Sequence, residues 1–170
     1  MASNFFFFFP TKHGVAESTL LKATKVGHHY NLVADVDVDN GSVAVIGDRV
    51  KSDLFKAKVP AVGDKITLII TAPKIYEEYT TRMQEESNFY NAAGEAMRAY
   101  EIQDTDRFTL STEAFADDAA PAVGKYVVVD GTGYKLTTVE SKPNMTQYGF
   151  VGHIYEIANN GNYRVWVDKN

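Results

Sequence analysis

Residues 30–46 read YNLVADVDVDNGSVAVI, and the spacing of their apolar positions decides the fold class. Leu32, Ala34, Val36 and Val38 recur at every second residue, with Asp35 and Asp37 between them. Side chains of an extended strand point alternately to opposite faces, so this stretch reads as a strand with one apolar and one acidic face. Asp39-Asn40-Gly41 follows, residue types that tolerate positive φ in a tight turn. Ser42 to Ile46 then reads as the return arm, closed by Gly47-Asp48. The pattern predicts a hairpin over residues 30–46.

The same punctuation continues outward. Leu54 to Val59 is an expected strand ended by Pro60, and Lys65 to Thr71 (KITLIIT) is a β-branched, aliphatic one ended by Ala72-Pro73. Lys125–Val129 and Tyr134–Val139 flank Asp130-Gly131-Thr132-Gly133 as a second hairpin. Phe150–Ile157 and Tyr163–Asp168 flank Ala158-Asn159-Asn160-Gly161-Asn162 as a third. Met97–Ile102 fits a helix through Met97 and Tyr100 or a strand in which Arg98, Tyr100 and Ile102 alternate; the strand is favoured because Arg107–Ser111 also alternates and the two would pair. The predicted class is mainly β, a barrel or sandwich built from hairpins.

One stretch differs. Residues 75–94 carry helix formers (Glu77, Glu78, Met83, Gln84, Glu85, Glu86), a capping-box pattern Thr81-x-x-Gln84, Phe89 and Ala93 four residues apart, and Gly94 as a stop. This is the expected helical or irregular segment. Pro60-Ala61-Val62-Gly63 and Pro121-Ala122-Val123-Gly124 each precede a lysine-bearing stretch and a strand. Two related β units, about 30–72 and 96–140, plus a C-terminal hairpin would produce that echo; so would ordinary turn chemistry.

Composition narrows the function. The chain of 170 residues is about one domain long: an N-terminal arm, residues 1–14, and a β-rich domain, residues 15–170. The net charge is −5, and Lys22, Lys25, Lys51, Lys56 and Lys58 are scattered singly. Phosphate binding needs clustered cations, so neither nucleic acid nor an anionic membrane is an expected partner. There is no cysteine, which excludes disulfides, thiolate metal sites and cysteine nucleophiles. Met1-Ala2-Ser3-Asn4 is uncharged and the apolar run after it is short, so neither a signal peptide nor a membrane span is read there; synthesis in the cytoplasm is expected.

No stretch reads as catalytic, cofactor-binding or metal-binding. His28 and His29 are adjacent and would point to opposite faces of a strand. Asp35, Asp37 and Asp39 imitate the start of a calcium loop, but Gly41 falls at position 7 and Ile46 stands at position 12, where a bidentate carboxylate is needed. Gly131-x-Gly133 lacks a third glycine and opens no helix. A cleft holding two carboxylates is the enzyme reading that these motifs leave open.

Ten Phe, ten Tyr and one Trp make up 12% of the chain, and five of them stand together. Phe5, Phe6, Phe7, Phe8 and Phe9 cannot be explained by strand alternation, since both faces would be aromatic. A fully buried Phe is worth roughly 1.5–3 kcal/mol. The run is therefore expected to be buried, either in its own domain or on a neighbour, and these five residues are the predicted partner-binding set.

Two further stretches invite a family comparison. Ser87-Asn88-Phe89-Tyr90-Asn91-Ala92-Ala93-Gly94-Glu95-Ala96-Met97-Arg98-Ala99-Tyr100, followed by Asp106-Arg107-Phe108-Thr109-Leu110-Ser111, resembles small proteins of tailed bacteriophages, as does Val123–Val129 together with Phe150–Ile154. The likeness is to head decoration (capsid-stabilising) proteins of phages of Gram-positive hosts, and it covers residues 60–168; the Phe run is not part of it. The resemblance implies a non-enzymatic structural β-domain on the outside of the capsid shell, stabilising contacts between capsid subunits. It implies the major capsid protein as partner, a homo-oligomer such as a trimer, no cofactor, and a place on the virion surface. The alternative is a carbohydrate-binding β-domain on a virion or cell surface, with Tyr148, Tyr163 and Trp166 near hairpins that could present them to a sugar ring. The plainer reading of Trp166 is a core residue of its strand.

Overall fold

The computed structural model describes residues 12–73 and 85–170. In chain order the elements are β1 (Ala16–Glu17), α1 (Lys22–Val26), β2 (His29–Val33), β3 (Val43–Lys51), β4 (Leu54–Lys58), β5 (Thr67–Ile69) and β6 (Ala96–Glu101). There follow β7 (Arg107–Leu110), β8 (Tyr126–Val128), β9 (Thr137–Val139), β10 (Val151–Ile157) and β11 (Tyr163–Lys169). Among the described residues 39% are strand and 7% helix, so the expected mainly β class holds.

The strands form two sheets. β2-β4-β3-β5-β6 closes into a barrel, and β1-β7-β11-β10-β8-β9 is an open six-stranded sheet. Closure comes from the antiparallel pairing of β2 with β6, from His29 opposite Tyr100 to Val33 opposite Ala96. Small and mid-sized side chains fill the barrel: Leu32, Ala34, Val38, Ala44, Ile69, Met97 and Ala99. A five-stranded barrel encloses too little space for more.

A second core lies between barrel and sheet. Val43 and Leu68 belong to it, each next in sequence to Ala44 and Ile69 of the barrel interior. Strands β3 and β5 are thus a shared wall, apolar on both faces, which explains why KITLIIT is continuous rather than alternating. Phe108, Leu110, Val127, Ile154, Val165 and Val167 face this wall from the open sheet.

The hairpin predicted over residues 30–46 does not form. β2 ends at Val33 and pairs with β4 and β6, while β3 pairs with β4 and β5. Turn chemistry is present, with Gly41 at φ 87 and Ser42 N–H donating to the Asp39 carbonyl. It serves to move the chain across the barrel. Val38 bridges to Asn91, and the Asn40 amide grips both backbone groups of Thr71, at 2.9 Å each. Alternation identifies a half-buried extended stretch; it does not identify its neighbour. The hairpin that does form joins β3 to β4 at Ser52-Asp53, a turn with no glycine, where Ser52 itself takes φ 40.

β6 and β7 are both strands as expected, but they lie in different sheets. The turn between them is tied down by Asp106, whose buried carboxylate accepts from the backbone N–H groups of Gln103 (2.9 Å) and Lys22 (3.2 Å). Of the segment 75–94, residues 75–84 lie outside the described residues, and with them the Thr81-x-x-Gln84 pattern. The remainder holds only a 3-10 turn, Glu86–Asn88, and Phe89 is already extended at φ −92, ψ 136. No helical face joins Phe89 to Ala93; Gly94, at φ 80, serves the turn into β6 and donates to the Ala34 carbonyl. Of the other two hairpins, β10–β11 pairs as read; β8 pairs with β9 only over Thr137–Val139, because the Tyr134 carbonyl accepts from Val43 N–H and Leu136 bridges to Phe115.

The Pro-Ala-Val-Gly echo marks the same kind of turn twice: Asp64 N–H donates to the Ala61 carbonyl and Lys125 N–H to the Ala122 carbonyl. Gly124 takes φ 90, whereas Gly63 does not enter the left-handed region. The strands that follow enter different sheets, and β6, from the second of the two units, closes the barrel built by the first.

Candidate docking face

On the open sheet, Phe108, Leu110, Val165, Val167, Ile154 and Val127 point to the core. Alternation puts Arg107 on β7, Arg164, Trp166 and Asp168 on β11, His153 and Tyr155 on β10, and Tyr126 on β8 on the opposite side. The contacts agree. The Tyr155 ring meets Trp166 edge-on, centroids 6.4 Å apart at 87°. The Arg107 guanidinium carbon sits over the Trp166 ring, 5.5 Å from its centroid. Tyr126 meets His153 at 6.4 Å and 61°, and His153 Nδ1 lies 2.8 Å from Asp168 Oδ2.

Registration brings these side chains together, with Trp166 opposite His153 on one side and Arg107 on the other. Gly152 makes close pairing possible. A Cβ there would lie 2.9 Å from the Trp166 carbonyl oxygen and 2.9 Å from Val165 Cγ1. One end of the face is closed by the loop before β10: Lys169 Nζ donates to the carbonyls of Met145 (2.7 Å) and Tyr148 (2.6 Å). Among the described residues Arg107 is exposed, and Tyr126, His153, Tyr155, Arg164, Trp166 and Asp168 are half-buried.

Charges on the face are mostly paired. Arg164 donates to Glu156 at 2.8 Å, and that hydrogen bond, with the Glu156 charge behind it, raises the guanidinium above its ordinary value. Lys125 lies 3.7 Å from Glu140. Arg107 has no carboxylate partner among the described residues. A cation stacked on Trp, unpaired and beside Tyr, is a cluster of the three residue types enriched in interface hot spots.

The sequence named other positions. Phe5–Phe9 lie outside the described residues. The arm's last residues, His13 and Gly14, are held against the body: His13 N–H donates to the Ser87 carbonyl, its Nδ1 lies 2.7 Å from Asp39 Oδ1, and its ring lies 4.7 Å from Tyr90. Of the three aromatics considered for sugar binding, Trp166 is on the open face, not in the core. Tyr163 turns inward against Phe115, and Tyr148 belongs to the loop pinned by Lys169. Arg107, His153 and Tyr155 were missed, although a signal existed: Trp166 shares its strand parity with Arg164 and Asp168, which belong outside.

Elsewhere the titratable groups disperse. Asp35 pairs with Lys56, Asp37 accepts from the Ala93 N–H, and Asp39 lies between His13 and Lys135. His28 meets Glu101, while His29 packs beside Tyr100. No group of three His, Asp or Glu side chains is gathered for a metal among the described residues, and no helix among them is long and apolar enough to cross a membrane. A depression of about 540 Å³ at the barrel rim is lined by Lys22, Tyr30, Lys65, Gln103, Asp104 and Asn170, among others. The Asn170 amide fills its hydrogen-bonding needs on Ile66 and Ile102 backbone, and Lys22 Nζ does so on Asp104 and Thr105. No protein-family model matches the chain, and neither a curated protein nor a solved structure matches it.

Proposed function

We propose that this chain is a non-enzymatic structural protein that docks on the outside of a tailed-phage capsid shell and stabilises contacts between capsid subunits. The observation that carries the docking reading is the open face of the six-stranded sheet, with Arg107 over Trp166 and Tyr155 against its edge. Protein hot spots favour such groups because they desolvate a large area at little cost in rotamer freedom. The sequence resemblance supplies the identity of the partner, the major capsid protein, and the homo-oligomeric form. The Phe5–Phe9 arm is the second contact, tethered at the point where His13 joins the body. Two linked contacts raise the effective concentration of each for the shell.

Trp166 on an open face also favours a glycan reading. Sugar rings stack on free aromatic faces, however, and here Arg107 already lies over the ring. Co-sedimentation with shells assembled from the major capsid protein tests the proposal, with a glycan array beside it. The wild-type chain is expected to pellet with shells, and Trp166→Ala to lose about 2 kcal/mol or more of binding. Glycan binding without shell binding would replace the proposal with its rival.

A further inference from the structure

The sequence contains two Asn-Gly pairs, Asn40-Gly41 and Asn160-Gly161, and the fold treats them in opposite ways. Asn-Gly is the dipeptide in which a backbone nitrogen most readily reaches the preceding side-chain amide, because glycine places no Cβ in the way. The two pairs are therefore an internal comparison within one molecule.

Asn40 is buried, 7% exposed. Its amide nitrogen donates to the Thr71 carbonyl at 2.9 Å, and its oxygen accepts from Thr71 N–H at 2.9 Å and from Asn91 Nδ2 at 3.2 Å. The would-be nucleophile, Gly41 N, donates to the Ile69 carbonyl at 2.8 Å inside the barrel wall. Cyclisation there requires breaking all of these bonds in a site closed to water.

Asn160 stands at the tip of the β10–β11 hairpin, exposed together with Asn159 and Gly161. Its amide nitrogen makes one long contact, 3.5 Å to Glu17 Oε1, and its oxygen accepts from Asn162 N–H at 3.2 Å. Gly161 takes φ 84, and a Cβ built on it meets nothing within 4 Å. Gly161 N–H donates to the Ala158 carbonyl at 2.9 Å, a turn bond that opens without disturbing the core.

We infer that Asn160 is a site of spontaneous covalent modification and that Asn40 is protected by the fold. The deprotonated Gly161 nitrogen attacks Asn160 Cγ, and a C–N bond forms. The bond from Cγ to the side-chain nitrogen breaks, and ammonia leaves carrying the proton. Water then opens the five-membered imide at either carbonyl, giving aspartate or isoaspartate at position 160. The product places a new carboxylate beside Glu17, where an amide had donated. In the isoaspartate form it also lengthens the main chain of the turn that joins the two strands bearing Tyr155 and Trp166. Ageing of the protein would act on its open face through this hairpin.

The full-length folded protein, incubated in mildly alkaline buffer and mapped by peptide mass spectrometry with isoaspartate detection, tests the inference. The same incubation in denaturant supplies each site's intrinsic rate. In the folded protein Asn160 is expected to react about tenfold or more faster than Asn40, and the gap to shrink towards the intrinsic ratio on unfolding. Asn160→Gln should remove the fast reaction while leaving the slow one. An equal rate at the two sites in the folded state, or an Asn160 that stays intact while unfolded Asn40 reacts, would overturn it.

Discussion

At the residue scale, the sharpest constraints fall where a side chain is missing or a single one is overcommitted. Gly149 packs directly on the backbone of Asp64, and its N–H donates to the Val62 carbonyl at 2.8 Å. A methyl group there has no room, because the obstacle is main chain. Gly149→Ala is expected to cost about 3 kcal/mol, whereas Gly133→Ala, with open space around it, should be close to neutral; denaturant titration of the two variants checks the contrast. Tyr134 offers a pH signature. Burial, then the nearby Asp35 charge, raises its phenol above the ordinary 10.0, and its hydroxyl donates to the Ala57 carbonyl at 3.2 Å. The neutral form is the one the fold favours. Its contribution is therefore complete below pH 10.0 and falls as pH climbs from there through the folded value. A stability titration should show an alkaline loss that Tyr134→Phe reduces, and an unchanged alkaline limb in that variant would count against the burial described.

At the element scale, hairpins were legible where turn and strands cooperate locally and illegible where they do not. Asn159-Asn160-Gly161 and Asp130-Gly131-Thr132-Gly133 sit between two alternating arms, and both pairs of strands form. Asp39-Asn40-Gly41 sits between two arms that look the same, yet its strands part, because residues 34–42 satisfy their backbone on Ile69, Asn91 and Gly94, and the Asn40 side chain binds Thr71, all far along the chain. The β3–β4 hairpin escaped notice for the converse reason: its turn residue, Ser52, is not a type that signals positive φ. That residue carries a cost which glycine would relieve. Ser52→Gly is expected to stabilise the protein by about 1 kcal/mol, read as a rise in melting temperature; a fall would mean that the serine side chain itself supports the turn. The open face was half legible. Arg164 and Asp168 mark the parity of Trp166 as the outward one, but only the pairing across the sheet brings Arg107 and Tyr155 beside it.

At the scale of the whole molecule, the two sheets are bound through β3 and β5, whose alternate residues serve both cores. Barrel and open sheet should therefore melt together. Calorimetry is expected to give one cooperative transition with equal calorimetric and van't Hoff enthalpies, and two resolved transitions would mean that the shared wall does not couple them. Leu68→Ala, which removes a fully buried side chain from that wall, should lower the single transition by about 2–5 kcal/mol of stability.

The docking proposal is likewise a claim about one side of the molecule. Hydroxyl-radical footprinting of the free and shell-bound protein addresses it most directly, because tryptophan and tyrosine report their own exposure. Oxidation of Trp166 and Tyr155 is expected to fall on binding, with Tyr30, on the barrel, unchanged. Shell binding that leaves Trp166 as reactive as in the free protein, or that protects Tyr30 instead, would contradict the assignment of the open sheet as the docking face.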